Sequence, residues 1–297
     1  MKYRKSINFL VWLIILLSFV ATSYGIFSIQ GEGESKYKSI YGETVSIYGK
    51  GLYRHDSVLI AAQAIAQDYV TLFIGIPLLL FSLYLTHKGL IKGKLLLTGT
   101  LGYFLYTYLS YSFLSMYNSL FLIYVLIMSA SLFAFILGMM SFDIQTLRRH
   151  FDELLPVAFI GGFLLVVSFV FAMMWLGKIV PALMKEEPPA GLEHYTTMVI
   201  QAMDLGFVIP AAILAAILLM KRKSFGYLLA SVMIVKEITM LTALSVMVIF
   251  QMLAGMKGLN VMLGIVVLFN LIIIYCLYLV MKNIKETPIT GLTNISI

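Results

Sequence analysis

The sequence predicts an all-α integral membrane protein, a bundle of about eight transmembrane helices. Three observations predict it. Hydrophobic residues make up 61% of the 297 and charged residues only 12%, with a mean hydropathy of +0.97; a soluble domain is roughly half apolar and about a quarter charged. Apolar runs of about 20 residues, the length that crosses a hydrocarbon layer as a helix, recur eight times. Lysine and arginine fall in short clusters between the runs, the pattern of membrane topology and not of a phosphate-binding face. A soluble globular protein, a disordered chain and a nucleic-acid binder are thereby excluded, although the formal net charge is +7.

Taken in order, the runs are Asn8–Ile29, Gln67–Leu85, Leu95–Phe113, Ser119–Met140, Pro156–Gly177, Thr197–Met220, Phe225–Leu253 and Val261–Met281. They leave room for a single polytopic domain over 1–285, followed by a polar tail, 286–297, that is expected to be flexible. The first run reads either as a retained anchor or as a signal peptide cleaved near Ala21-Thr22-Ser23; its apolar stretch is long for a signal and favours the anchor. Cys276 is the one cysteine, so no intrachain disulfide and no CxxC motif can form.

Basic residues set the expected orientation. One side collects 13 of them: Lys2, Arg4, Lys5, Lys88, Lys92, Lys94, Arg148, Arg149, Lys221, Arg222, Lys223, Lys282 and Lys285. The other side has 7: Lys36, Lys38, Lys50, Arg54, Lys178, Lys185 and Lys257. The richer side is expected to be cytoplasmic, with both termini on it, in the cytoplasmic membrane.

The loop from Gln30 to Asp56 would then lie outside. It is rich in glycine and tyrosine (Tyr37, Tyr41, Tyr48, Tyr53), and reads either as a lid over the bundle or as an interfacial segment anchored by tyrosines at headgroup level. Beyond it, Gln63, Gln67 and Thr71 share one helical face at i, i+4 and i+8. Counting back from Leu85 at 1.5 Å per residue puts Asp68 in the outer part of the membrane.

The second and sixth spans have a similar layout. Asp68 to Lys88 reads DYVTLFIGIPLLLFSLYLTHK and Asp204 to Lys221 reads DLGFVIPAAILAAILLMK. Each runs from an aspartate through a glycine and Ile-Pro (Pro77, Pro210) to a basic cluster at the same distance from the proline. Two parallel four-helix repeats, 1–143 and 144–285, would account for this, related by an axis along the membrane normal.

Polar residues inside spans cost several kcal/mol unless they face protein or water. Asp68, Asp204, Lys236 and Glu237 are such residues. Gln63, Gln67, Gln201, Tyr103 and Asn118 lie in the same outer half, with Tyr106, Ser110, Thr197 and Tyr117 near them. Together they form a candidate outward-facing polar cavity. Gly75 with Pro77, and Gly206 with Pro210, interrupt the helices beside the aspartates, as transporter helices are interrupted near their substrates. The alternative is a buried ion pair of Lys236 with Asp204 or Asp68 that locks helices together. Lys236 is expected to face the interior and to pair with one of those aspartates, not with its neighbour Glu237, because adjacent helical residues point about 100° apart.

No HExxH, GxSxG or phosphate-loop motif occurs, and the four histidines (His55, His87, His150, His194) lie in loops or at span ends. No catalytic residue, cofactor or metal is assigned. An outer His55, Asp56 and His194 grouping would hold a metal only if the repeat pairs those loops.

The stretch YGKGLYRHDSVLIAAQAIAQDYVTLFIGIPLLL, with GTLGYFLYTYLSYSFLSMYNSLFLIYV, YTTMVIQAMDLGFVIPAAILAAILL and KRKSFGYLLA, resembles a broad set of uncharacterised prokaryotic polytopic membrane proteins. The resemblance implies a helical bundle and no activity. Three functions fit the sequence. Transport of a small solute, ion or proton through the cavity leads. Chemistry on a lipid or lipid-linked substrate at the outer surface, using Asp56, His55 or the tyrosines, comes second. A sensor or assembly subunit that moves nothing is third. The partners expected are membrane lipids and such a small solute or ion, with no nucleic acid. The apolar inner halves (LLLFSLYL, AAILAAILL) count against a simple channel.

Overall fold

The computed structural model describes residues 2–286; all but Glu286 of the tail expected to be flexible lies outside the described residues. Eight helices of spanning length make an all-α bundle: α1 Arg4–Phe27, α2 Val58–His87, α3 Ile91–Phe113, α4 Phe121–Met140, α5 Val157–Lys185, α6 Val199–Met220, α7 Ser224–Leu253 and α8 Asn260–Lys282. Seven of these are long and apolar enough to cross a membrane. The exception is α3, which has the length but carries lysines, threonines and tyrosines; most of its residues are buried, so its polar groups meet protein and not lipid. α2 begins at Val58, nine residues before the run read from sequence. Ser57 caps it, its hydroxyl accepting from the Ile60 N–H at 3.2 Å.

Two hydrophobic clusters build the core. Residues of α1–α4 make one, with Tyr103, Phe104, Tyr108, Tyr111 and Tyr124 at its centre. Residues of α5–α8 make most of the other. The two meet where α3 packs on α7: a Cβ added at Gly99 would run into Val235 and the Val232 carbonyl, so the helices approach this closely because position 99 has no side chain. α1 is an integral part of the first cluster, through Ile7, Val11, Ile14, Ala21 and Gly25.

The second and sixth helices share their construction over a constant spacing of 133 residues. Each contains one π turn, Thr71–Gly75 and Asp204–Val208, immediately before Ile-Pro. Each ends in the same turn: Gly89 and Arg222 both have positive φ, and their N–H groups bond to Thr86 and Leu219 carbonyls. Gly93 and Gly226 then let α3 and α7 start against the backbones of Leu85–Thr86 and Leu218–Leu219. In this register Thr71, not Asp68, stands where Asp204 stands. The two aspartates sit one helical turn apart and are not equivalents: Asp68 lies nine residues before Pro77, Asp204 only six before Pro210.

At one end of the bundle lie both ends of the described chain. Asn8 bonds to His87 at 3.0 Å, and the Glu286 carboxylate accepts from the Ile91 and Lys92 N–H groups at 2.8 and 3.0 Å, capping the start of α3. At the opposite end the α1–α2 loop folds into a hairpin, β1 Ser35–Lys38 against β2 Thr44–Ile47, with Ser35 opposite Ile47.

Candidate functional site

Gln63, Gln67, Asp204, Lys236, Glu237 and Gln251 gather around a cavity of about 260 Å³. A single water needs only about 10–15 Å³ by the same measure, so the space is of ligand size. It is bounded by α2, α3, α5, α6, α7 and α8. On α7 its wall runs from Lys236 to Gln251, about 22 Å along the axis, so it reaches from the hairpin end to the middle of the bundle. Below it, towards the termini, Leu95, Ile160, Ala216, Leu219, Tyr227 and Val232 pack into continuous core.

Asp204 stands in the wall at the first residue of the α6 π turn. Its Oδ1 accepts from the Tyr106 hydroxyl at 2.8 Å and its Oδ2 from the Trp175 indole N–H at 2.9 Å. Both donors are neutral. Among the described residues no basic group lies within ion-pair distance of it, the two salt bridges being Lys236–Glu237 and Lys285–Asp152.

Lys236 faces the interior, as the sequence predicts, at 7% exposure. Its partner corrects the expectation. Nζ lies 3.0 Å from Glu237 Oε1 and 4.4 Å from the centre of the Tyr106 ring. The backbone bonds of 236 and 237 diverge, but both side chains are long, both border the cavity, and each can turn towards the other. Asp204 already has two donors, and Asp68 lies outside the cavity wall.

Gln63 and Gln67 line the cavity, with Tyr106 and Ser110. Gln67 donates to the Tyr103 hydroxyl at 2.8 Å and to Thr107 Oγ1 at 3.0 Å, and Tyr103 meets Thr71 at 2.8 Å. Tyr103 is therefore packed behind the wall and not in it. Gln201, Thr197 and Asn118 are also outside. Asn118 shapes the α3–α4 turn, accepting from the Leu120 N–H, and Tyr117 is exposed.

Asp68 belongs to a different place. It is 1% exposed within the first cluster, with Oδ2 accepting from the Tyr53 hydroxyl at 2.6 Å and Oδ1 from the Tyr111 hydroxyl at 2.9 Å. Gly25 of α1 packs directly on it. Tyr53 is thus no headgroup anchor: it is buried, and burial pushes its phenol well above the ordinary tyrosine range. Trp175 and Gln251 were not anticipated as wall residues. The signal available for Trp175 was its rarity, one of two tryptophans, with an indole N–H that requires a partner inside a span.

Above the cavity the hairpin-end loops are tied together through Asp56. Its Oδ1 accepts from the Met116 N–H at 2.9 Å and the Tyr195 hydroxyl at 3.0 Å, and Tyr195 in turn accepts from the Ser57 N–H. Burial pushes the Asp56 carboxyl up to about 6 against the lowering effect of those two bonds. His194 contacts the His55 carbonyl through Nε2. Among the described residues no group of three or more His, Cys, Asp or Glu is placed to hold a metal, so His55, Asp56 and His194 do not form the outer site.

No family model, curated protein or solved structure matches the chain.

Proposed function

We propose that this multi-pass membrane protein carries a small solute or ion across the membrane, and that the Asp204 cavity is its binding site. One observation carries the reading. A carboxylate stands in the wall of a ligand-sized cavity, at an interrupted turn of a spanning helix, with no basic group among the described residues within ion-pair distance of it. A charge at that depth is costly without a counter-charge or water, and here the protein itself supplies only neutral donors. The π turn gives α6 a backbone that can change pairing without breaking the helix outright. The basic-residue count assigns the terminal end to the cytoplasm, so the cavity faces outwards and the packed half beneath it must open for transport. The reading as a lipid enzyme has less support, because Asp56 is occupied in holding three loops together.

Alternating access is testable without knowing the solute. In a Cys276→Ala background, Ser168→Cys puts a thiol in the wall. Ser35→Cys in the hairpin and Ser224→Cys at the start of α7 report the two sides. A membrane-impermeant methanethiosulfonate reagent should reach Ser35→Cys and Ser224→Cys from opposite faces, and Ser168→Cys from both. Modification of Ser168→Cys from the hairpin face alone would reduce the protein to a binder or sensor and overturn the transport reading.

A further inference from the structure

The chemistry of the wall narrows the class of ligand, on the reading that the cavity is a binding site. Three charged side chains border it: Asp204, Glu237 and Lys236. Lys236 is neutralised by Glu237 and by the face of Tyr106, so the surplus is one negative charge and it resides on Asp204. Each Asp204 oxygen accepts one hydrogen bond and retains capacity for another. Trp175 and Tyr106 hold Asp204 in place through the indole N–H and the phenol O–H.

The remaining wall is largely apolar, with Leu164, Val167, Val208, Ala212, Leu241 and Leu244 among its lining residues. At the hairpin end two amides return, Gln63 and Gln251. Gln251 is 6% exposed and lines the cavity.

Two alternatives fit less well. A divalent cation needs six or more oxygen ligands, and Asp204 is the one carboxylate of the wall without a basic partner among the described residues. An anion would find its only candidate partner, Lys236, already paired.

We infer that the ligand is a small protonated organic amine: an ammonium group bound at Asp204 between Trp175 and Tyr106, with an apolar body along the α5–α7 wall. Its N–H donors replace the water that would otherwise solvate Asp204.

Trp175 reports on the site directly. With Trp12→Phe it is the sole tryptophan, and its emission can be titrated in purified full-length protein with n-butylammonium, n-butanol, n-butyrate and sodium chloride at constant ionic strength. Saturable change is expected with butylammonium alone. Asp204→Asn should weaken it on the order of tenfold or more, as loss of a charge-assisted bond does, while Asp204→Glu keeps the selectivity. Equal responses to butanol and butylammonium, a preference for butyrate, or an unaltered affinity in a folded Asp204→Asn protein would each overturn the amine assignment. Butylammonium binding with thiol access from one face only would instead remove the transport reading and leave the ligand class standing. Access from both faces without amine selectivity would do the reverse.

Discussion

Replacing Lys236 by methionine removes the cation and preserves most of the side-chain volume, so the change isolates electrostatics. Glu237 is then left in a largely enclosed site, its side chain 15% exposed, without the Nζ that stood 3.0 Å away. At an effective dielectric constant near 20, two unit charges at that distance attract by roughly 5–6 kcal/mol before desolvation is counted. Removing one member of a buried pair typically costs about 3–5 kcal/mol, because the survivor remains unpaired. The lost contact with the Tyr106 face adds about 1 kcal/mol. Lys236→Met should therefore destabilise by about 3–5 kcal/mol, and Lys236→Met with Glu237→Gln should recover at least half of that. Lys236→Met with Asp204→Asn should show coupling below about 1 kcal/mol, transmitted only through the shared Tyr106 ring. Equilibrium unfolding in mixed micelles, followed by tryptophan emission and circular dichroism, measures the cycle. Stronger coupling of Lys236 to Asp204 than to Glu237 would refute the pairing, and with it the argument that Asp204 is free to meet a ligand.

Two more outcomes follow from the packing. Asp56 holds its proton up to about pH 6 in the folded protein against 3.8 as the ordinary value. In that window the folded state binds more protons than the unfolded one, so stability falls as pH rises from about 4 to about 6, by about 3 kcal/mol in all. Asp56→Asn should flatten that slope, and an unchanged slope would show that other groups produce it. Gly25→Ala would put a methyl group where Asp68 Oδ2 sits, and should cost about 1–3 kcal/mol by overpacking. Gly177→Ala, with open space around it, should be neutral or slightly stabilising; similar effects at the two positions would contradict the close α1–α2 contact.

The sequence by itself determined the class of object. Length and apolarity of the runs require helices, because only a helix satisfies its own backbone in hydrocarbon. Local signals placed most element boundaries within about four residues, the start of α2 and the end of α5 being nine and eight residues off. The Ile-Pro pairs marked the helix interruptions, since proline removes a donor from the ladder and the preceding turn must adapt. That Asp204, Lys236, Glu237, Gln63 and Gln67 border one space was also legible in part, because charged and amide side chains in spans must turn inwards.

The partners were decided only by tertiary structure. Asp68 and Asp204 look alike in sequence, each an aspartate before a glycine and a proline. One turn of helix separates their positions relative to the π turn, and this sends Asp68 into a cage of tyrosines from a loop and from α3, while Asp204 faces the cavity. Tyr53 and Tyr111 lie 15 and 43 residues from Asp68, and Trp175 lies 29 from Asp204. No local rule connects residues at such separations. The choice of Glu237 by Lys236 has the same origin. Periodicity fixes where a Cβ points, but a long side chain goes where burial leaves it a counter-charge, and that depends on which carboxylates neighbouring helices have already satisfied.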